Sequence, residues 1–204
     1  MVISVASYKG GVGKTTTAVH LAAYFSQFAP TLLLDGDSNR SAIRWAAPGL
    51  LPCKVVDNRQ AAMHLRDHEH VIVDTAAHPG DEDMRVLIDS CHLLVLPCTP
   101  DALSIQALGD TLVALRRMGA VNYRVLLTIV PPLPNRDGED ARQYFTDEHV
   151  PIFRSSIRRL VAFQRAALKG VTVDRIDRDN LAWEDYASIG AEIQQAGLSR
   201  SAAV

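Results

Sequence analysis

Near its amino terminus the chain reads SYKGGVGKTT, from Ser7 to Thr16. The stretch follows an apolar run, Val2–Ala6, and leads directly into a helical pattern, so it joins a strand to a helix. Its three glycines let the backbone turn so that successive N–H groups point inwards. The positive end of the helix dipole adds to the same spot. The sequence therefore predicts a phosphate-binding loop at this turn.

Individual residues of the loop have predictable roles toward ATP. The phosphates would be surrounded by the backbone of Gly10, Gly11, Val12 and Gly13. Lys14 would reach the β- and γ-phosphates, the Thr15 hydroxyl would ligate Mg²⁺, and Thr16 would donate to the α-phosphate. The alternative is a glycine-rich turn that binds nothing.

Short apolar runs recur along the whole chain and are separated by amphipathic segments. The runs are Val2–Ala6, Thr31–Asp35, Lys54–Val56, His70–Asp74, Leu93–Pro97, Arg124–Val130 and Ile152–Ser155. Helical spacing is clearest in Thr16–Phe28 and Ile105–Met118. This alternation predicts an α/β P-loop NTPase fold: a mostly parallel, doubly wound sheet of about seven strands with helices on both faces. We expect one domain over residues 1–204.

Composition limits the possible classes of protein. The chain has 204 residues, 48% of them apolar, and a formal net charge of −2, which is typical of a globular domain without a global polyanion signal. No apolar run approaches the ~20 residues that span a bilayer, and no signal peptide is evident. Cys53, Cys91 and Cys98 are widely spaced, so we expect buried thiols rather than a metal or redox site. These features predict a cytoplasmic protein.

Two further segments complete the predicted nucleotide site. Three apolar residues precede Asp74 at the end of the fourth run, a Walker B pattern that would place this acid beside the magnesium shell. A plain strand-end acid is the alternative. After the sixth run, Pro131 and Pro132 begin a rigid loop. These prolines would pack around adenine, or else form an ordinary exit loop.

Lys9 is unusual because an ordinary P-loop does not need a lysine five residues before the phosphate-binding one. The string KGGVGKTT resembles the deviant Walker A box of the ParA/MinD family of ATPases. The resemblance implies that Lys9 reaches across a homodimer to the ATP of the partner, so that ATP assembles the dimer. The alternative is a solvated loop lysine.

The second strand ends in Asp35-Gly36-Asp37, which resembles the DxD box of the same family. By that match Asp37 positions the attacking water near Mg²⁺, whereas Asp35 is a packing and hydrogen-bonding residue. The resemblance implies a catalytic set of Lys9, Lys14 and Asp37. An alternative for Asp37 is the N-cap of a helix over Ser38–Trp45. The loop after Asp74 departs from the family pattern, since two alanines and a histidine precede its proline.

Basic residues are concentrated between residues 154 and 178, a segment that contains seven basic and two acidic residues. The predicted DNA-binding residues in this region are Arg154, Arg158, Arg159, Arg165 and Lys169. A local excess of positive charge favours contact with phosphate backbones rather than base reading. A solvated helix face with its own salt bridges is the alternative.

The resemblance extends to about residue 190 and suggests a biological role. The runs at 7–9, 35–41, 128–132 and 158–164 resemble the McdA group, which distributes carboxysomes over the nucleoid with an McdB partner. This implies a non-specific DNA-binding, nucleoid-associated ATPase whose slow hydrolysis is stimulated by an McdB-like or ParB-like adaptor.

Three other functions remain as alternatives. A plasmid-partition ParA is the nearest. A MinD-like membrane-surface ATPase is disfavoured because Ile189–Val204 has no aromatic residue and one basic residue. A P-loop enzyme of another branch, a synthetase or an iron–sulfur reductase, is the third. A bridging iron–sulfur cluster would need cysteine ligands beside the loop after Asp74, and Ala76–Asp83 contains none.

Overall fold

The computed structural model describes residues 1–77, 80–176 and 181–201, with the backbone alone for 198–201. Within these ranges the strands are β1 (Val2–Ser7), β2 (Thr31–Gly36), β3 (Lys54–Asp57), β4 (His70–Ala77), β5 (Leu93–Cys98) and β6 (Tyr123–Leu127). The α-helices are α1 (Lys14–Phe25), α2 (Ser41–Ala46), α3 (Ala61–His64), α4 (Asp81–Ser90), α5 (Ala102–Arg117), α6 (Asp137–Asp147), α7 (Val161–Lys169) and α8 (Leu181–Ser201).

The strands form one parallel sheet in the order β3-β2-β4-β1-β5-β6. The central strands are buried along nearly their whole length, because helices cover both faces of the sheet. Pairing of Val5 with Asp74 brings the ends of β1 and β4 to the same edge. The predicted α/β class and parallel sheet are confirmed.

The predicted count of about seven strands is wrong, since the described residues form six. The run Ile152–Ser155 makes one isolated parallel bridge, between Ile152 and Val125, instead of a strand. The Phe153 N–H still donates to the Val125 carbonyl of β6 at 2.9 Å, but the following N–H groups, of Arg154 and Ser155, donate to the Glu192 carboxylate of α8 at 3.0 and 2.9 Å. They are therefore not available to extend a ladder beside β6.

Helix α1 is buried between the sheet and α8. A β-carbon added at Gly190 would lie 2.3 Å from the Tyr24 ring, so α8 needs a glycine at this crossing. Helices α2 and α7 complete this layer, and α5 and α6 contribute to the apolar cluster on the opposite face. The predicted helices on both faces are confirmed.

His20 lies at the centre of the α1–α8 layer, with no exposed surface. Its Nδ1 is 2.7 Å from the Thr16 carbonyl oxygen, and its Nε2 accepts from the Val173 N–H at 3.2 Å. The carbonyl can only accept, so the neutral Nδ1–H tautomer satisfies both partners. The ring stacks on Tyr186 with centroids 4.8 Å apart. Burial lowers the pKa of His20 to about 4.

This lowered pKa makes folding stability depend on pH. Below the ordinary histidine pKa of 6.5 the unfolded chain takes up a proton that the folded chain does not. The contribution of His20 is therefore present above pH 6.5 and is lost as the pH falls. Between pH 7 and pH 5 this loss should amount to about 2 kcal/mol of the free energy of unfolding. Urea unfolding of the wild type and His20→Gln measures it.

In that comparison His20→Gln should lose less stability than the wild type over the same pH interval. His149→Gln, which changes an exposed histidine, is the matched control and should follow the wild type. Parallel pH dependence in the wild type and His20→Gln would contradict the assigned neutral state.

Candidate active site

The loop between β1 and α1 has the backbone geometry that anion binding needs. Gly11 and Gly13 have φ angles of 78° and 86°, values that favour glycine. Helix α1 begins at Lys14, and no side chain caps its first turn. From Gly10 to Thr16, no backbone N–H donates to another described residue. Free N–H groups at a helix amino terminus are suited to hold phosphate oxygens.

A cavity of about 540 Å³ opens over this loop at the carboxyl edge of the sheet. Its walls include seven residues that the sequence assigned to the site: Gly10, Gly11, Gly13, Lys14, Thr15, Thr16 and Asp37. Val12 is buried beneath the loop. Pro131 and Pro132 are not among the described wall residues, so their contact with adenine stays a prediction. The loop and the end of β2 therefore converge on one cavity.

Lys14 and Asp74 are both buried beside the loop, and each acts electrostatically on the other. Lys14 is 9% exposed, and burial lowers the pKa of its ammonium group while Asp74 and Asp37 act to raise it. Asp74 is fully buried, and burial raises the pKa of its carboxyl group to about 7. Thr15 and Lys14 act in the opposite direction on that carboxyl group. Bound phosphate would add acceptors for Lys14.

The environment of Asp74 fits a magnesium ion. Neither carboxylate oxygen has a hydrogen-bond partner of regular geometry among the described residues, although Thr15 lies close enough to lower the pKa. A buried carboxylate without a partner is costly, and a cation removes that cost. Mg²⁺ usually keeps waters and binds one or two carboxylates plus phosphates. The described residues contain no group of three or more His, Cys, Asp and Glu side chains that could hold an ion alone.

Asp35 stabilises the turn that follows β2. Its carboxylate accepts from the backbone N–H groups of Asp37 at 3.1 Å and Ile43 at 2.9 Å, and it is 3% exposed. These bonds fix where the chain enters α2. The geometry agrees with a hydrogen-bonding rather than a catalytic role for Asp35.

Asp37 is half-buried and faces the cavity. Its Oδ1 accepts from the Asn39 N–H at 2.9 Å. The alternative interpretation of Asp37 as a helix N-cap is wrong, because α2 begins at Ser41 and Arg40 occupies the N-cap position with a φ of 51°. One carboxylate oxygen of Asp37 therefore orders the turn, and its role in aligning water stays a prediction.

Lys9 lies beside the phosphate loop but outside the walls of its cavity in the described part of the chain. Its Nζ is 3.0 Å from Asp101 Oδ1 and 2.6 Å from Ser104 Oγ at the start of α5. Burial acts to raise the pKa of Asp101, but bonds from Thr99, Ser104 and Lys9 hold it well below its usual range. Lys9 is thus held within its own chain, by residues at the start of α5.

Replacing Asp101 with alanine should remove the charged one of the two groups that hold Lys9 and leave only its bond to Ser104. If the contact competes with the function of Lys9 in a dimer, Asp101→Ala should strengthen ATP-dependent dimerisation about two- to fivefold, the range of an exposed ion pair. Sedimentation with ATP and Mg²⁺ measures the dissociation constant. Asp110→Ala, which removes another exposed acid of α5, is the control. Weaker dimerisation in Asp101→Ala would mean that Asp101 positions Lys9 in the dimer instead.

Several wall residues were missed by sequence reasoning. Thr128, just after β6, donates from Oγ1 to the Val12 carbonyl at 2.8 Å and so ties the loop to the sheet. Tyr186 of α8 reaches the wall from near the far end of the chain, and its hydroxyl is 3.1 Å from Thr17 Oγ1. The apolar run at 124–130 points to the region of Thr128, but no local pattern marks Tyr186.

The predicted DNA-binding residues do not form one uniform group. Arg158 is bound by Asp185 of α8, with Nη2 2.7 Å from Oδ1. Its Nη2 also donates to the Leu181 carbonyl at 2.8 Å. Arg158 and Arg159 line the nucleotide cavity. Arg158 therefore has a structural partner that the sequence did not reveal.

The other basic residues of the region are exposed: Arg154, Arg159, Arg165, Lys169 and Arg175. Arg165 and Lys169 are four positions apart on α7 and so share one face of this helix. Arg178 lies outside the described residues, as do His78 and Pro79 of the loop after β4. DNA binding by the predicted set stays a prediction.

Helix α8 directs its two isoleucines to the interior. Ile189 and Ile193 are 0% and 2% exposed. These isoleucines are therefore unavailable to a lipid surface in this conformation. Within the described residues, no helix is long and apolar enough to cross a membrane.

Residues 3–173 match the family model of the CobQ/CobB/MinD/ParA nucleotide binding domain. The chain therefore belongs to this family of P-loop nucleotide-binding proteins. It is 31% identical over 203 residues to maintenance of carboxysome distribution protein A of Gloeobacter kilaueensis, covering 95% of this chain and 94% of that protein. It is also 31% identical over 148 residues to protein ParA of Rhizobium radiobacter, covering 64% and 65%.

A solved structure shares the fold: the ATP complex of a Cyanothece McdA variant. Its TM-score is 0.71 at 17% identity, and the match covers 94% of this chain and 95% of that one. The predicted membership of the ParA/MinD family of ATPases and the resemblance to the McdA group are confirmed.

Proposed function

We propose that the chain is an ATPase that dimerises with ATP, binds DNA without sequence specificity and positions an intracellular cargo over the nucleoid. The observation that carries this proposal is the placement of Lys9. It adjoins the phosphate loop, yet its ammonium group contacts α5 instead of its own cavity. A lysine placed in this way can serve the nucleotide of a second copy.

The chemistry is phosphoryl transfer to water. Backbone N–H groups of the loop and Lys14 hold the phosphates, and Thr15 and Asp74 hold Mg²⁺. When bound, Mg²⁺ supplies charge neutralisation on the phosphate oxygens. Asp37 orients water toward the γ-phosphate, and Lys9 of each copy stabilises the negative charge in the site of the other. Hydrolysis removes the contact that joins the copies.

Binding of DNA would use the exposed basic face of α7, defined by Arg165 and Lys169. A dimer carries two such faces, so dimerisation roughly doubles the number of phosphate contacts and the salt dependence. ATP thereby shifts the population toward the DNA-bound state. An adaptor on the cargo would stimulate the slow hydrolysis and release the dimer, so that the protein cycles in the cytoplasm on and off the nucleoid.

The carboxysome is the favoured cargo because the Gloeobacter kilaueensis relative matches over almost the full length of both chains. The adaptor would then resemble McdB. Plasmid partition with a ParB-like adaptor is the second candidate, and the Rhizobium radiobacter ParA relative supports it over a shorter range. Both candidates use the same nucleotide chemistry, so identification of the adaptor separates them.

The test is a mobility-shift titration of random duplex DNA with ATP, with ADP and without nucleotide, at several salt concentrations. Only ATP should give tight binding. Changing Arg165 and Lys169 together to glutamate should weaken it at least tenfold and reduce the salt slope by roughly three to four, because two copies lose two contacts each. Basal hydrolysis should remain.

The matched control changes Arg44 and Arg66 to glutamate, which alters the same charge at exposed positions outside α7. This control should lose less than threefold in DNA affinity, because only the screened overall charge has changed. Equal losses in the two double variants, or binding that does not require ATP, would contradict the proposed use of α7.

A further inference from the structure

A second cavity lies at the opposite edge of the sheet from the phosphate loop, and we name it the basal cavity. It has a volume of about 730 Å³, and its described wall shares no residue with the nucleotide cavity. Its wall is formed where β4, β5 and β6 begin, at His70, Leu93 and Tyr123, and by Phe25 and Ile193 from α1 and α8. A volume of this size suits a small molecule rather than a water cluster.

Most of the basal cavity is apolar, and its polar groups include the amino terminus of Met1 and the side chains of Asn122 and Tyr123. The described wall contains Arg124, His70, His92 and Gln194, and none of its described members is Asp or Glu. The Arg124 guanidinium lies 5.2 Å from the Phe153 ring centroid and has no carboxylate partner among the described residues. A cation in a partly apolar cavity without an acid favours an anionic ligand.

The remaining polar atoms are also suited to an acceptor-bearing ligand. The His70 ring in the wall lies 5.0 Å from that of Phe25. Gln194 Oε1 is occupied by the Tyr24 hydroxyl at 2.9 Å, which leaves its amide N–H groups as donors.

We propose that the basal cavity binds a small amphipathic anion, with an aliphatic or aromatic body against Phe25, Leu93 and Ile193 and an acidic head on Arg124. This activity is additional to the proposed nucleotide cycle and does not depend on it. Both α1 and α8 extend from the wall of this cavity to the nucleotide cavity, so the two sites share their helices. Because the two walls share no described residue, we expect the ligand and a nucleotide to be bound at the same time.

A matched pair of fluorescent probes tests the proposal on the full chain: 8-anilinonaphthalene-1-sulfonate, which is anionic, and N-phenyl-1-naphthylamine, its neutral counterpart. We expect saturable one-to-one binding of the anionic probe, undisturbed by saturating ATP and Mg²⁺. Arg124→Met keeps a long, unbranched side chain in the wall but removes the positive charge. It should weaken binding of the anionic probe about tenfold and that of the neutral probe less than threefold.

A second variant tests the location. Ala196→Trp places a large ring in the wall and should abolish binding of both probes, whereas Leu103→Trp, at an exposed position of α5, should leave both unchanged. Cooperative urea unfolding of each variant confirms that it is folded. Displacement of the probe by ATP, unaltered binding in Ala196→Trp, or equal losses of both probes in Arg124→Met would each overturn the proposal.

Discussion

Lys14→Ala is expected to abolish ATP binding and every step that depends on it. Lys14 is 9% exposed and lines the cavity over the loop, where we propose that it replaces water as the partner of the phosphates. Removing this buried charge-assisted contact should weaken ATP at least about 100-fold. Calorimetric titration with ATP and Mg²⁺ measures the loss. The shift in melting temperature that ATP gives the wild type should vanish with it.

The control for this variant is Lys54→Ala, which removes an exposed lysine at the start of β3. It should bind ATP like the wild type. DNA binding and dimerisation should be lost in Lys14→Ala and kept in Lys54→Ala. If Lys14→Ala retained ATP affinity within threefold, the cavity over the loop would not be the nucleotide site.

Asp37→Ala is expected to bind ATP normally but to hydrolyse it about 100- to 1,000-fold more slowly, the usual effect of losing the group that positions a proton or water. Because hydrolysis ends the dimer, this variant should stay dimeric and remain on DNA after excess competitor is added. Single-turnover hydrolysis and the lifetime of the DNA complex are the measurements.

Asp67→Ala, which removes an exposed acid before β4, is the control and should turn over at the wild-type rate. The turn after β2 should survive in Asp37→Ala because Asp35 retains its bond to Ile43. Wild-type hydrolysis by Asp37→Ala would exclude the assigned role. If Asp37→Ala hydrolysed ATP slowly but still dissociated rapidly from DNA, release from DNA would not depend on hydrolysis, contrary to the proposal.

Much of the site could be predicted because its parts are contiguous in sequence. The phosphate loop depends on glycines, Lys14 and the start of one helix, all within ten residues of one another. The placement of Asp74 follows from the parallel register of buried strands, which apolar runs reveal. Such local and periodic patterns carry their own geometry.

The remaining features depend on contacts between distant segments. In the sequence Arg158 belongs to a basic patch. In the structure it is bound by Asp185, which lies 27 positions away. The sequence predicts a strand at Ile152–Ser155. In the structure the N–H groups of Arg154 and Ser155 donate to the Glu192 carboxylate instead of extending a ladder. Tyr186 likewise lines the cavity through a contact between segments that are distant in sequence, because α8 packs against α1. Neither hydrophobic periodicity nor motif spacing specifies which side chain from a distant segment will contact a given residue.

The central claim is that ATP is enclosed between two copies of the chain, with Lys9 supplied in trans. Sedimentation velocity of the wild type and Lys9→Ala, with ATP and Mg²⁺ or with ADP, tests it most directly when ATP binding is verified in the same samples. We expect a dimer only for the wild type with ATP, and an ATP-bound monomer for Lys9→Ala. A wild-type chain that stays monomeric at saturating ATP, or a Lys9→Ala chain that dimerises equally well, would contradict it.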